Sequence, residues 1–456
     1  MNHQLIYFLG IGGIGMSNLA RYFLSQGCSV AGYDRVETPL AKALADEGAI
    51  IHYEDNLSLI PEEFKDKSKT LVIYTPAIPA THSEYNWFKN NGFEIMKRAQ
   101  ALGIITKASD AICVSGTHGK TTVSSMVAHL LRQSTVDCNA FLGGILKNYN
   151  TNLLLSETSN ITVVEADEYD RSFHWLEPWI AVITSADPDH LDIYGTAQAY
   201  RESFEHFTTL IRKDGYLLVR KGAPLTVKAD SEVKVFTYSE SEGDFHADNI
   251  RIGNGEILFD FISKEHVIRD INLGVPIRIN IENSVAAIAV ALINGVSEAE
   301  IKEAVRTFGG ARRRFDFRLK KKDIVFIDDY AHHPQELSVA ISSIKQLYPD
   351  KKVTGIFQPH LYSRTQDFAG DFARSLSKLD EVILLDIYPA REEPIEGVTS
   401  KLIFDEISIN EKTLIEKSEL FETIRQKDLE VVVTFGAGDI DKLLPDIEKI
   451  LLEIYP

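Results

Sequence analysis

A chain of 456 residues with 48 basic and 66 acidic side chains, a formal charge of −18, is too long for one hydrophobic core and too acidic to hold a nucleic acid by a general basic field. Its three cysteines, Cys28, Cys113 and Cys138, lack metal-ligand spacing and read as reduced thiols rather than a disulfide framework. Met1 to Met16 carries no basic leader and breaks its apolar run with glycines, which argues against a signal peptide or membrane span; the expectation is a cytoplasmic protein, monomer or weak homodimer, with no nucleic-acid or membrane partner.

The first block, Met1 to about Thr106, alternates strand-like runs (Leu5–Leu9, Ser29–Gly32, Leu71–Tyr74) with helical patterns (Ser17–Gln26, Pro39–Glu47), which predicts βαβ units and a largely parallel sheet. Its first strand runs into Gly10-Ile11-Gly12-Gly13-Ile14-Gly15-Met16-Ser17 and then a helix, and Asp34 ends the next strand. That is a dinucleotide fingerprint with an acid placed for a ribose hydroxyl, and on its own it fits a nicotinamide-linked dehydrogenase.

The second block, about Lys107 to Ala311, changes that reading. Ala111 to Thr122 is an apolar run emptying into Ser-Gly-Thr-His-Gly-Lys-Thr-Thr. Gly116 and Gly119 leave backbone N–H groups free to face phosphate, Lys120 can neutralise the β/γ charge, Thr121 can ligate Mg²⁺, and a helix over Thr121–Gln133 adds its positive end. Val114 stands where the general P-loop has a glycine, so the loop is a tighter variant. Two phosphate loops in one chain fit an energy-supplying nucleotide and a diphosphate-bearing substrate, without hydride chemistry.

Further along, strand Ile161–Glu165 delivers Glu165, Asp167, Glu168 and Asp170, and strand Ile180–Thr184 delivers Asp187, Asp189, His190 and Asp192. Such a carboxylate concentration implies a cation, one or two Mg²⁺ on the ATP phosphates; solvated acidic loops are the plainer alternative. Hairpin-like sequence over Val233–Ile268 and a helix at Asn283–Ile293 follow, and Phe308 to Phe315 sets Arg312, Arg313 and Arg314 on a glycine hinge, one of which can meet ATP.

The third block, about Arg312 to Pro456, alternates again: strands Ile324–Ile327, Lys352–Phe357, Glu381–Leu385 and Val431–Phe435, helices Gln335–Leu347 and Phe368–Ser375. Ile327 to Pro334 (I-D-D-Y-A-H-H-P) and Ile356 to Thr365 (I-F-Q-P-H-L-Y-S-R-T) each place polar groups just past a strand, lining one rim or forming a hydrogen-bond network.

In this order the motifs G-I-G-G-I-G-M-S, G-T-H-G-K-T-T, E-A-D-E-x-D-x-S-F, D-P-D-H-L-D, R-R-F, D-Y-A-H-H-P and F-Q-P-H-x-Y-S-R-T resemble the Mur ligases along the whole chain. The resemblance implies three α/β domains: a Rossmann-like UDP-sugar domain (1–106), a central P-loop ATPase-type domain (107–311) and a Rossmann-like C-terminal ligase domain (312–456). It implies an ADP-forming acid–amino-acid ligase of peptidoglycan synthesis that uses ATP and Mg²⁺, in two ions, to join L-alanine to UDP-N-acetylmuramate, the C-terminal domain closing over the substrates. A sister activity, joining a recycled murein tripeptide to the same sugar nucleotide, and a nucleotide-gated switch without chemistry are the alternatives.

By motif, the UDP-sugar falls to Gly10, Gly12, Gly13, Gly15, Met16, Ser17 and Asp34. ATP falls to Gly116, Thr117, His118, Gly119, Lys120, Thr121, Thr122, Asn280, Asn283 and Arg314. Thr121 and Glu165 hold one metal and His190 the second. Tyr330, His332, His333, His360 and Arg364 line the amino-acid end, and Lys120, His190, His333 and Arg364 are the catalytic set. Ile279 replaces the family's usual histidine at the adenine-contacting helix start of Asn280 and Asn283, and Leu361 stands where many relatives carry arginine, which leaves the alanine carboxylate to Arg364.

Overall fold

The computed structural model describes residues 3–390 and 392–456, without the side chain of Asp192, so that end of the D-P-D-H-L-D motif lies outside the described residues, as do Met1 and Asn2. Three sheets form, one within each block. The first has β1 (Leu5–Leu9), β2 (Ser29–Tyr33), β3 (Ile50–His52), β4 (Thr70–Tyr74) and β5 (Glu94–Lys97), all parallel, in the order β3-β2-β1-β4-β5. Alternate β1 residues serve its two faces: Ile6 and Phe8 pack with Met16 and Leu19, Tyr7 and Leu9 with Phe64 and Phe88. The predicted helices stand at Ile14–Ser25 and Pro39–Asp46. Strand order reverses between β1 and β4, which opens a crevice at the end of β1, where the glycine turn lies.

The second sheet contains β6 (Asp110–Ser115), β7 (Asn139–Leu146), β8 (Thr151–Leu154), β9 (Ile161–Glu165), β10 (Ile180–Ile183), β11 (Tyr216–Arg220) and β12 (Lys234–Tyr238) in the order β12-β11-β10-β6-β9-β7-β8. All pairs are parallel except β7 with β8. The phosphate loop therefore leaves β6 with the ends of β9 and β10 on either side. The hairpin reading of Val233–Ile268 is corrected at its start: β12 runs parallel to β11, Lys234 opposite Tyr216. A half-exposed edge strand has the same alternating pattern as a hairpin arm, so pattern alone cannot separate them. Beyond it come β13 (Phe245–Gly253), β14 (Glu256–Ser263) and β15 (Val267–Asn272); Asn254 and Gly255, at φ 54° and 76°, form the reversal between the first two.

The third sheet runs β16 (Asp316–Lys320), β17 (Val325–Asp329), β21 (Val431–Phe435), β18 (Val353–Phe357), β19 (Glu381–Leu384), β20 (Lys412–Leu414), parallel apart from the first pair. The helix predicted at Phe368–Ser375 begins earlier, at Tyr362, and ends at Leu376. Phe368 leaves helical geometry (φ −122°, ψ 16°) inside it, and the apolar periodicity resumes only from there.

The chain divides into two compact units. One holds the chain up to Asp248 with Phe261–Arg269 and Glu282–Thr307; the other holds Asn249–Asp260, Asp270–Ile281 and Phe308–Pro456. Among the described residues no helix is long and apolar enough to cross a membrane.

Candidate functional site

In the first unit, the glycine turn after β1 is shaped by its neighbours. Gly10 takes φ +88°, and a Cβ there would come within 2.5 Å of the Thr75 methyl at the end of β4. The turn leads into helix Ile14–Ser25, whose N-cap Gly13 has no side-chain cap, so the first-turn amides stay available to an anion. Met16 and Ser17 are buried in that first turn, Ser17 donating its hydroxyl to the Ile14 carbonyl at 2.9 Å. Asp34 closes on its own loop instead of standing open for a ribose: Oδ2 accepts from Gly12 N–H at 2.7 Å and Oδ1 from Val36 N–H at 3.2 Å.

Gly13, Gly15 and Met16 line a cleft of about 470 Å³ that continues over Thr75–Ala77, Lys97, Arg98 and Phe141–Gly143 to Glu165, Asp167 and Tyr169. The glycine turn after β1 and the carboxylate-bearing end of β9 thus share one cavity. Arg98 lies over the glycine turn, its guanidinium 3.0 Å from the place a Cβ on Gly15 would occupy.

The phosphate loop is stapled to the end of β10. Gly116, at φ +141°, leaves no room for a Cβ, which would meet Thr184 Oγ1 at 2.0 Å. The half-buried Thr117 donates its hydroxyl to the Asp187 carbonyl at 2.6 Å and lies 2.8 Å from the Tyr200 hydroxyl; the amide of His118, placed by motif at the ATP, donates to Ser185 Oγ at 2.9 Å. Gly119 caps the helix Lys120–Arg132 in the left-handed region at φ 83°, Thr121 is buried in its first turn, and Thr122 is half-buried beside it. Asn283 Oδ1 stands over this loop, 3.2 Å from a Cβ built on Gly119. Asn280, in the other unit, is buried and donates to the Val275 carbonyl at 3.0 Å, while Ile279 is exposed.

The carboxylate cluster after β9 carries the main correction. Three of its four carboxylates meet cations of the chain's own. Glu168, buried, lies 2.8 Å from Lys120 Nζ; Asp170 meets Lys97 at 2.7 Å; Asp167 meets Arg98 at 3.4 Å. Burial pushes the Glu168 carboxyl up from its ordinary value, and the Lys120 charge opposes that rise. Glu165 remains at the cleft, and a Cβ on Gly143 would fall 2.3 Å from its Oε2. His190, left-handed at φ 51°, points Nε2 toward Glu168 at 4.0 Å and Asp189 at 3.8 Å. Among the described residues no three His, Cys, Asp or Glu side chains converge as a metal cage.

In the second unit, β21 separates β17 from β18, and the polar turns after all three strands meet at one end of the sheet. Tyr330 and His332 rings lie 5.1 Å apart, His332 and His360 6.2 Å, and Arg364 reaches His360 Nδ1 at 3.5 Å. Four predicted rim residues are therefore assembled. His333 instead starts a helix: its ring nitrogen accepts from Gln335 N–H at 3.4 Å while Glu336 accepts from His333 N–H at 3.2 Å, a capping box ahead of Pro334. Its ring also contacts Phe368, at 5.2 Å. The two acids before Tyr330 are supports, Asp328 buried and Asp329 half-buried. Asp329 accepts from the Phe315 and Ala331 amides, both at 2.8 Å, burial pushing its carboxyl up to about 6; Asp328 takes the Thr434 hydroxyl and Arg313. Arg313 also packs over the Tyr330 ring at 5.0 Å, whereas Arg314, its neighbour on the hinge, is exposed. Gln358 braces the Gly436–Asp439 turn, donating to Asp439 and accepting from Ile440 N–H, both at 2.9 Å.

Sequence reasoning missed Lys97, Arg98, Gly143, Thr184, Ser185 and Tyr200. Thr184-Ser185, small polar residues directly after the apolar Ile180–Ile183, gave a readable signal; the others are defined only by what they meet in space.

Sequence models of three Mur ligase segments match the chain: the family's catalytic domain over residues 5–110, the middle domain over 114–291 and the glutamate ligase domain over 313–438. The UDP-N-acetylmuramate–L-alanine ligase of Parabacteroides distasonis is 62% identical over 447 residues, covering 98% of this chain and 97% of that one. The ligase of the same name from Porphyromonas gingivalis W83 is 53% identical, with 98% of both chains covered. Among solved structures, the UDP-N-acetylmuramate–alanine ligase of Thermotoga maritima superposes with TM-score 0.79 at 28% identity over 99% of both chains. A murein peptide ligase from Psychrobacter arcticus shares the fold, with TM-score 0.64 at 20% identity over 98% of both chains.

Proposed function

The chain belongs to the Mur ligase family, and on that premise we propose that it joins L-alanine to the carboxylate of UDP-N-acetylmuramate in an ADP-forming reaction of peptidoglycan precursor synthesis in the cytoplasm. One observation carries the reading in this chain: the UDP-sugar turn and Glu165, on the strand beside the phosphate loop, line one cleft. A sugar nucleotide bound by its diphosphate at the helix Ile14–Ser25 can then extend its carboxylate toward the ATP loop.

A carboxylate repels an incoming amine and carries no good leaving group, so it is first activated. A carboxylate oxygen attacks the γ-phosphorus, the bond to the β-phosphate oxygen breaks, and ADP and an acyl phosphate result. Lys120 leaves Glu168 for the γ-phosphate and neutralises charge on the transferred group. The unprotonated alanine amine then attacks the acyl carbon, phosphate departs and the amine's surplus proton is lost to water or a rim group. Tyr330, His332, His360 and Arg364 receive the amino acid, Arg364 forking onto its carboxylate. The first-turn amides at Thr121 and Thr122 face the phosphates, and Asn280, Asn283 and Arg314 complete the nucleotide contacts.

The donor set fits Mg²⁺, a hard cation: Thr121 and Glu165 offer oxygen, and Gly143, bare of a Cβ, makes room for the Glu165 carboxylate. Thr121 and Glu165 would hold one ion and His190 a second, supplying charge neutralisation to the phosphates.

The test is phosphate release from Mg-ATP with UDP-N-acetylmuramate present, comparing no amino acid, L-alanine and the L-Ala-D-Glu-diamino-acid tripeptide. Release requiring L-alanine supports the assignment; release with tripeptide instead moves the chain to recycling, and none removes the ligase reading.

A further inference from the structure

The rim in the second unit rests on a segment that the proposed reaction does not yet use. Because β21 lies between β17 and β18, its following turn, Gly436-Ala437-Gly438-Asp439, forms the floor between Tyr330-His332 and His360. Gly438 is required there by a close approach: a Cβ would fall 2.7 Å from Tyr388 Cβ and 2.5 Å from Gln358 Oε1. The glycine lets the segment following β19 close against the rim. Tyr388 and His360 form a parallel bridge, the Tyr388 amide donating to the Pro359 carbonyl at 2.8 Å and the Leu361 amide donating to the Tyr388 carbonyl at 3.0 Å.

The junction is tightly determined. Leu361, between His360 and the helix bearing Arg364, holds φ 72° and ψ 137°, a conformation that is strained for an L-residue and persists only when its surroundings enforce it. Glu392 pins the next turn, accepting the Ser363 amide at 3.0 Å and its hydroxyl at 2.5 Å. What this enforces is the attitude of His360. Its ring lies offset-stacked on Tyr388 (centroids 5.9 Å, planes 18°) and meets Arg364 through Nδ1.

We infer that Tyr388 is a positioning residue for the amino-acid substrate: its ring fixes the His360 plane, and His360 in turn aims the Arg364 guanidinium at the carboxylate of the incoming amino acid. The inference rests on the amino-acid role given to this rim. The face of the ring does the work, so an aromatic replacement preserves it and an aliphatic one does not.

The experiment compares Tyr388→Phe, Tyr388→Leu and Tyr388→Ala in the full-length enzyme, measuring KM for L-alanine, ATP and UDP-N-acetylmuramate, kcat, and the melting temperature. Leucine keeps apolar volume and covers the case in which alanine unfolds the protein. Loss of one aromatic pair should raise the alanine KM by about five- to tenfold in the leucine variant, with both nucleotide KM values within about twofold and phenylalanine close to wild type. Phenylalanine behaving like leucine, parallel changes in all three KM values, or no change in the leucine variant would each overturn the inference. Wild-type enzyme that ignores L-alanine would instead overturn the substrate reading beneath it.

Discussion

Lys120 Nζ lies 2.8 Å from Glu168 Oε2 and 2.6 Å from the Gly116 carbonyl oxygen, so the cation of the phosphate loop is held inside its own loop by a carboxylate with 1% of its side chain exposed. A buried pair of this kind costs about 3–5 kcal/mol when one partner is removed, because the other charge is stranded. Lys120→Ala should therefore lower both stability and ADP formation, the latter by about 10²–10³-fold as for other lost transition-state charges. Adding Glu168→Gln should restore much of the melting temperature and none of the turnover, with UDP-sugar binding intact. Restored turnover in the double variant would remove Lys120 from the chemistry.

Gly143 offers a second test, one that leaves every charged side chain in place. Its absent Cβ would come 2.3 Å from Glu165 Oε2, so Gly143→Ala must displace that carboxylate. Steady-state kinetics should show kcat falling by about 10²-fold with a smaller change in UDP-sugar affinity by calorimetry, since misplacement of about 1 Å near the reacting groups is that costly. Unaltered kcat would detach Glu165 from catalysis.

Arg98 spans the cleft between the Gly15 turn and Asp167. A guanidinium there meets an anion at the helix N-terminus, and Arg98→Ala should weaken UDP-N-acetylmuramate binding by about tenfold, the scale of one charged hydrogen bond. UMP binding is the informative control: a similar loss assigns Arg98 to the phosphates, and none assigns it to the sugar end.

Glu84 carries a pH dependence of stability. It accepts the Tyr7 hydroxyl at 2.8 Å and the Asn56 amide at 3.2 Å, with no exposed surface, and burial pushes its carboxyl up from 4.5 to about 7. The folded state then binds the proton more tightly than the unfolded chain, so stability from this group is full below pH 4.5 and is lost as pH rises toward 7. Glu84→Gln, which never ionises, should gain on wild type by about 1–2 kcal/mol between pH 5 and pH 8 in denaturant melts. A constant difference across that range would contradict the assignment.

What could be read from sequence was what short apolar runs dictate. Leu5–Leu9, Ile161–Glu165 and Val431–Phe435 stand at their predicted bounds because a parallel strand buried on both faces is a continuous apolar run. The residues at the ends of those strands were legible for the same reason. Pairing was not: Lys120 meets Glu168 across 48 residues and Arg98 meets Asp167 across 69, and nothing local announces either. β3 and β5, short and polar-ended, gave no run to see. The helix-starting role of His333 was not legible for a different reason: a capping box is ordinarily led by Ser or Thr, so a histidine three residues before Glu336 does not announce one.

The second unit is stitched from three separate stretches, and Lys320 donates to the Gly255 carbonyl at 3.0 Å, joining the first stretch to the last. During synthesis Asn249–Asp260 leaves the ribosome before Phe308–Pro456 exists, so the Gly255 carbonyl is made well before the lysine that donates to it. A fragment started at Phe308 would be born without Gly255, and the C-terminal unit should be studied from chains that retain residues 249–281.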